Sequence, residues 1–338
     1  MNRHTFRQSL LLLLTAVIWG VAFVAQSAGM DYVGPFTFNA VRSIIGGIVL
    51  IPCIYILKRF KNASYDKAAD DVINAKDISE ASERNNSRKY SEDSGKKNVG
   101  DNTTNSAIKN AGSKSMLMLG GIVCGIVLCI ASNFQQIGIK YTTVGKAGFT
   151  TALYIIIVPI LSIFLHKKAG FKVWLSVVIA VIGFYLLCIS ESLMLQMGDL
   201  LELLCALFFS VHILIIDYFS PKVDGVKMSC IQFFVCGIIC VILMFVFEKP
   251  DISLILAAWK PILYAGVMSC GVGYTLQIIG QKGMNPTVAS LILSMESVIS
   301  ALAGWVLLNQ RLSVKEMCGC VLVFAAIILA QLPEKQKA

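Results

Sequence analysis

Charge is what this chain has least of: 14% of its 338 residues are Asp, Glu, Lys or Arg, while 56% are hydrophobic. Soluble domains carry about 25% charged residues, so a soluble globular fold is excluded, and a mean hydropathy of +0.73 agrees. Clustered basic residues are also missing. The net charge of +9 is spread over short loops and one polar linker, which excludes a nucleic-acid-binding patch and fits instead the loop charges that orient a membrane protein. Eleven cysteines include no C-x-x-C pair and lie almost entirely in apolar runs; they read as small apolar fillers, not as a disulfide framework or metal cluster. Only three histidines occur, and His212 with Asp217 makes a poor pair of metal ligands, so neither metal nor cofactor is expected. No Ser, His and acid are placed so that a hydrolytic triad can be argued. The stretch Gly138 to Lys146 lacks the glycine spacing of a phosphate loop and has Ala147 where Ser or Thr would bind magnesium, which excludes an ATPase.

Long apolar runs are present instead, near 9–29, 34–57, 115–138, 143–165, 172–190, 198–219, 228–247, 257–280, 286–308 and 314–332. Each approaches the roughly 20 residues that a 30 Å hydrocarbon core requires. They lack the alternation of barrel strands and must satisfy their backbone groups internally, so they are predicted to be helices. Arg3 and Arg7 ahead of Leu10 to Leu14 resemble a secretory leader, but the nine further runs make this a first span. The predicted fold is all-α integral membrane, with ten transmembrane helices. Lys and Arg accumulate in the loops that face inward if both termini are cytoplasmic, which places a multi-pass protein in the cell membrane in that orientation. Gly121-x-x-x-Gly125 reads as a helix-packing motif.

Residues 58–114 are rich in Asn, Ser, Lys and Asp and poor in large apolar side chains. Such a segment cannot bury enough surface to offset the entropy of ordering, so a disordered cytoplasmic insertion is predicted. Its triplets Asn62-Ala63-Ser64 and Asn102-Thr103-Thr104 are chance glycosylation patterns on that side of the membrane.

A weak internal repeat runs through the rest. Sliding the chain by about 142 residues lays Gln135 on Gln277, Gly138 on Gly280, Lys140 on Lys282, Ala147 on Ala289 and Tyr154 on Glu296. The first helix needs a shift of about 190, which sets Trp19 against Phe209; the difference is close to the linker's length. Residues 1–57 with 115–193 therefore form one repeat and 194–333 the second. Five helices per repeat is an odd number, so the two repeats enter the membrane from opposite sides, and inverted repeats of this kind hold substrate near the midplane between them.

Glu296 is the focus of the candidate site. A carboxylate at mid-span costs about 2.5–3.5 kcal/mol on insertion scales, so it faces a cavity or a partner and not lipid. Ser300 shares its face at helical spacing, while Ser290, Ser294, Ser297, Ala301 and Gly304 form a seam of small side chains. Arg42 in the second span, with Asn39 three residues before it, is read as a buried cation that meets an anionic group or pairs with Glu296. Trp19 lies deeper than an interfacial aromatic; Tyr154, Gln135 and Gln277 complete the polar set. Asn133 and Gln136 are read as ties between helices. Lys146 is expected to snorkel and Pro159 to bend its helix.

The fourth span, Thr142-Thr143-Val144-Gly145-Lys146-Ala147-Gly148-Phe149-Thr150-Thr151-Ala152-Leu153-Tyr154 with Val158-Pro159, and the stretch from Met295-Glu296-Ser297 through Trp305 to Leu307-Leu308-Asn309-Gln310-Arg311-Leu312 carry a resemblance. In these residues the chain resembles the drug/metabolite transporter superfamily, specifically its ten-helix permeases of two EamA-type domains. The family pattern has Glu-Pro in the ninth span and Gly-Glu-Arg at its exit; Ser297 and Gln310 replace the proline and the second acid, so a less kinked ninth helix is expected. The resemblance implies a secondary transporter with alternating access, commonly an exporter of metabolites or drugs, whose partners are a small-molecule solute and the lipid bilayer; a homodimer is admissible. From the residues, Glu296 is the proton-linked or amine-binding group, Arg42 its counter-charge, and Trp19, Tyr154 and Gln277 line the cavity. The alternative is a membrane receptor or scaffold whose linker binds a partner while the bundle is an anchor.

Overall fold

The computed structural model describes residues 3–84, 102–142, 144–166, 170–188, 197–308 and 313–332. Among these residues there is no strand. Eight helices are long and apolar enough to cross a membrane, and two shorter apolar stretches, Phe171–Gly183 and Met317–Ala330, accompany them. The distribution of side chains is that of a bundle in lipid. Val306 is 69% and Val321 67% exposed, while Gln136, Glu202 and Ser294 are fully buried. A soluble protein hides the first kind and shows the second.

The elements are α1 (Arg3–Gly29), α2 (Pro35–Arg84), α3 (Asn102–Ile139), α4 (Val144–Ala152), α5 (Tyr154–Phe164), α6 (Phe171–Cys188), α7 (Met197–Phe219), α8 (Gly225–Phe247), the short α9 (Ile252–Ala257) and α10 (Trp259–Leu263), a π-helical segment Tyr264–Gly273, then α11 (Tyr274–Gln281), α12 (Pro286–Leu293), α13 (Met295–Leu308) and α14 (Val314–Gln331). Capping fixes several starts. Asp224 accepts from the backbone N–H groups of Val226 and Lys227 at the head of α8, and Asn285 accepts from Thr287 N–H just before Pro286 opens α12. Asp251 caps α9 through Ser253, and this hydrogen bonding holds the exposed carboxyl of Asp251 below the usual carboxylate range. Glu248, just past α8, reaches Phe36 N–H at 2.9 Å and Thr37 N–H at 2.8 Å, and so caps α2 from another part of the chain.

The chain divides into two units, one of residues Met1–Leu50 with Met116–Ala338, the other of Ile51–Ser115. In the first, α1 packs on α12 and α13, α7 packs on α4 and α5, and α6 packs on α14. The second is helical where it is described: α2 continues through Arg84 and α3 begins at Asn102. From Phe60 to Arg84 the sequence has neither Gly nor Pro and is supplied with Ala, Lys, Glu and Asp, so helix propensity carries the apolar span onward into polar sequence without a core. Residues 85–101 lie outside the described set.

The fourth and ninth spans are not continuous helices. α4 and α5 are separated at Leu153, ahead of Pro159, which α5 runs through. α12 and α13 are separated at Ser294. The ninth span thus breaks without the family's proline, and a ladder of serines explains how. Ser290 Oγ donates to Thr287 O, Ser294 Oγ to Leu291 O at 2.7 Å and Ser297 Oγ to Ser294 O; such back-bonding competes with the helix ladder and bends it.

Gly121 and Gly125 behave as the motif predicts, facing Ile231 and Val235 of α8. A Cβ at Gly125 would lie 2.7 Å from the backbone oxygen of Gln232, an atom that cannot move without the helix. Gly125→Val is therefore expected to destabilise the protein by about 1–3 kcal/mol, read as a lowered midpoint in thermal unfolding of the detergent-solubilised chain. An unchanged midpoint would contradict this packing.

Candidate functional site

Seven spans supply one cavity. Trp19, Ala22, Phe23 and Gln26 come from α1, Arg42 from α2, Gln135 from α3 and Tyr154 from the start of α5. Phe209 and Ile213 of α7, Ser269 of the π-helical segment, Tyr274 and Gln277 of α11 and Glu296 of α13 close it, so further spans from the second half complete the wall. The space free of atoms amounts to about 440 Å³, its opening included.

Six of the eight residues singled out in the sequence meet here: Glu296, Arg42, Trp19, Tyr154, Gln277 and Gln135. Glu296 is 3% exposed and accepts a hydrogen bond from Tyr154 Oη at 3.0 Å. These are the two residues superposed by the repeat, 142 positions apart, and each lies in the first turn of the helix that follows a break in its span. Arg42 donates to Gln26 Oε1 at 2.9 Å and lies over the ring of Phe38. Its contacts and those of Glu296 are made with different partners, so the anticipated Arg42–Glu296 pair is not formed. The cavity holds an acid and a base that do not neutralise one another.

Trp19 is seated by contact. Its ring centroid is 4.5 Å from that of Tyr274, and a Cβ on Gly273 would come within 2.7 Å of its Nε1. Among the described residues Trp19 Nε1 and Gln277 Oε1 have no hydrogen-bond partner, though both are buried. A buried polar atom left unpaired costs about 1–3 kcal/mol, and here a donor and an acceptor of this kind line the same cavity.

Two expected residues stand elsewhere. Asn39 is fully buried and its Nδ2 donates to Ser132 O at 3.0 Å and Asn133 Oδ1 at 2.8 Å, so it ties α2 to α3. Ser300 donates to Ser297 O and lies against Gly148 of α4, so the small-residue seam claims it. Gln136 donates to Gln26 O, as a tie between helices. His212 shares a hydrogen bond with Gln232 at 3.2 Å. The side chain of Lys146 and residues 309–312 lie outside the described set.

The cysteines are not all isolated fillers. Cys129 of α3 and Cys236 and Cys240 of α8 bring their sulfurs within 4.8 Å of one another, with Cys129 and Cys240 3.6 Å apart. Asn133 Nδ2 donates toward both of the latter sulfurs. Three thiols from facing helices have the reach to hold a soft cation, outside the cavity; sequence spacing hides them because one comes from another helix.

The EamA-like transporter family matches residues 7–69 and 196–332. This chain belongs to the EamA-like transporter family. The first match stops within the polar stretch after α2's apolar part. The EamA-like chain is 26% identical over 322 residues to an uncharacterized transporter of Archaeoglobus fulgidus, covering 95% of this chain and 84% of the relative. It is 20% identical over 319 residues to the uncharacterized transporter YoaV of Bacillus subtilis, covering 93% and 92%. A solved crystal structure shares the fold at 16% identity with a TM-score of 0.65, over 96% of each chain. The EamA-like chain is thus a multi-pass membrane protein and a membrane transporter.

Proposed function

We propose that this protein is a secondary active permease, acting by alternating access between two inverted five-helix halves with both termini cytoplasmic in the cell membrane. Its solute is small and amphipathic and carries both an acidic and a basic group, and export is the favoured direction. The observation that carries the reading is one cavity lined by both sequence repeats that contains a cation held by an amide and not by an acid, a carboxyl group bonded to a phenol, and two orphaned polar atoms. Arg42 presents a planar fork suited to a carboxylate, Glu296 receives an amine or a proton, and Trp19 with Tyr274 and Phe209 supplies the apolar wall. A carboxylate in a low-dielectric site is costly to keep ionised, so Glu296 exchanges a proton more readily than it holds a bare charge.

The inverted arrangement is supported by the pairing of elements. Exchanging α1 with α7, the α4–α5 span with the α12–α13 span, and α6 with α14 turns the packing of α1 on α12 and α13 into that of α7 on α4 and α5. Both exchanged spans are interrupted at nearly matching positions, Leu153 and Ser294. Under this reading repeat-related residues such as Lys140 and Lys282 face opposite sides.

The test is reconstitution into liposomes with a trapped pH-sensitive dye, offering zwitterionic amino acids of increasing apolar bulk one at a time. At least one is expected to move protons across the membrane and to quench fluorescence in the wild type, with a smaller change in Trp19→Phe. Uptake without proton movement overturns the coupling; absence of both uptake and quenching across the series overturns the solute class.

A further inference from the structure

Glu202 is a second carboxylate inside the spans, and the cavity does not use it. It lies in the second turn of α7 and is fully buried. Its Oε2 accepts a hydrogen bond from Thr151 Oγ1 at 2.8 Å, and its Oε1 has no partner among the described residues. The wall facing Oε1 is Gly138 of α3, where a Cβ would stand 2.7 Å from that oxygen; glycine there leaves space for the carboxyl group and nothing larger.

The charged and titratable groups around it are Asp199 and Cys205 of its own helix and, farther off, Glu296 of α13; α4 contributes Thr151, the donor to Oε2. Asp199 accepts from Thr142 Oγ1 at 3.3 Å, where α3 leaves the bundle. Thr151 and Tyr154 are three residues apart, one on each side of the break at Leu153, and each holds one of the two acids. Holding a half-bonded carboxylate in hydrocarbon costs far more than holding the neutral acid, and a second carboxylate in the same low dielectric adds to that cost.

We propose that Glu202 is a second proton-binding site, through which Glu296 exchanges its proton with the membrane face that carries Asp199 and Thr142. The exchange conserves atoms and charge: Glu296 as the neutral acid and Glu202 as carboxylate become Glu296 carboxylate and neutral Glu202, one proton having moved along the side of the fourth span that carries Thr151 and Tyr154. The pair then carries at most one negative charge. The relay rests on the reading of Glu296 as a proton-exchanging group; protonation of Glu202 does not.

Infrared difference spectra of the purified full-length protein in lipid, taken across pH jumps, test both parts. The wild type is expected to show two neutral carboxylic-acid bands that respond to pH, Glu296→Gln to lose one of them and Glu202→Gln the other. In Glu296→Gln the remaining band should disappear at a lower pH than in the wild type, because a neighbouring negative charge has been removed. Thr151→Val, which deletes the donor to Oε2, should shift the frequency of the Glu202 band and serves if Glu202→Gln does not fold. If Glu202→Gln removes no acid band, or its band ignores both pH and the Glu296 substitution, the site is overturned. If the Glu202 band behaves as described and Glu296→Gln alone removes none, the reading of Glu296 fails and the second site stands.

Discussion

Liposomes carrying Glu296→Gln are expected to lose the pH dependence of transport altogether, with solute movement under a pH gradient falling roughly 10-fold or more, the scale of a 1–3 kcal/mol coupling. Glutamine has nearly the shape of the neutral acid and still accepts the Tyr154 hydroxyl, so packing survives while the exchangeable proton is gone. Downhill movement of solute at equal pH should therefore persist. Tyr154→Phe separates the two roles: the carboxyl remains, its one hydrogen bond of 3.0 Å is lost, and the pH profile should shift without vanishing. An unaltered profile in Glu296→Gln would remove the acid from the coupling.

Replacing Arg42 with Gln is expected to weaken binding of a carboxylate-bearing solute by roughly 30-fold to 1,000-fold or more, since truncating one side of a buried charged hydrogen bond costs about 2–5 kcal/mol. The guanidinium is 5% exposed and is held by Gln26 and the Phe38 ring, so its direction is set before solute arrives. Arg42→Lys keeps the charge and loses the fork, and should recover part of the affinity. Titration of tryptophan fluorescence with a zwitterionic amino acid and with its amide, which lacks the carboxylate, checks the assignment. Arg42→Gln should erase the preference for the acid over the amide, and a preserved preference would place the carboxylate elsewhere.

Where the chain had to accept something unfavourable, the sequence revealed it. Glu296 and Arg42 announce themselves because a charge in a span needs a reason, and Tyr154 follows from the repeat. Gln26, Ser269 and Tyr274 were not legible, since a polar or aromatic side chain in a helix is silent about its direction until neighbouring helices are placed. Glu202 did carry the same signal as Glu296. It lies so close to the start of its helix that it reads as an interfacial acid, and only the packing of α3 and α4 against α7 shows it buried. The π-helical turn at Tyr264–Gly273 and the breaks at Leu153 and Ser294 depend on small competing hydrogen bonds, which hydropathy does not register. The helical extensions to Arg84 and from Asn102 arise from local propensity, which a criterion based on burial overlooks.

The central claim is an ionisable cavity between halves of opposite orientation, and the sharpest measurement of it is the sidedness of Lys140 and Lys282, which the repeat superposes. Each is replaced singly by cysteine and treated with a membrane-impermeant maleimide in intact and in permeabilised cells, with the unsubstituted chain as the control for native thiols. The account predicts that one of the two is labelled in intact cells and the other only after permeabilisation. Labelling of both from the same side would contradict it.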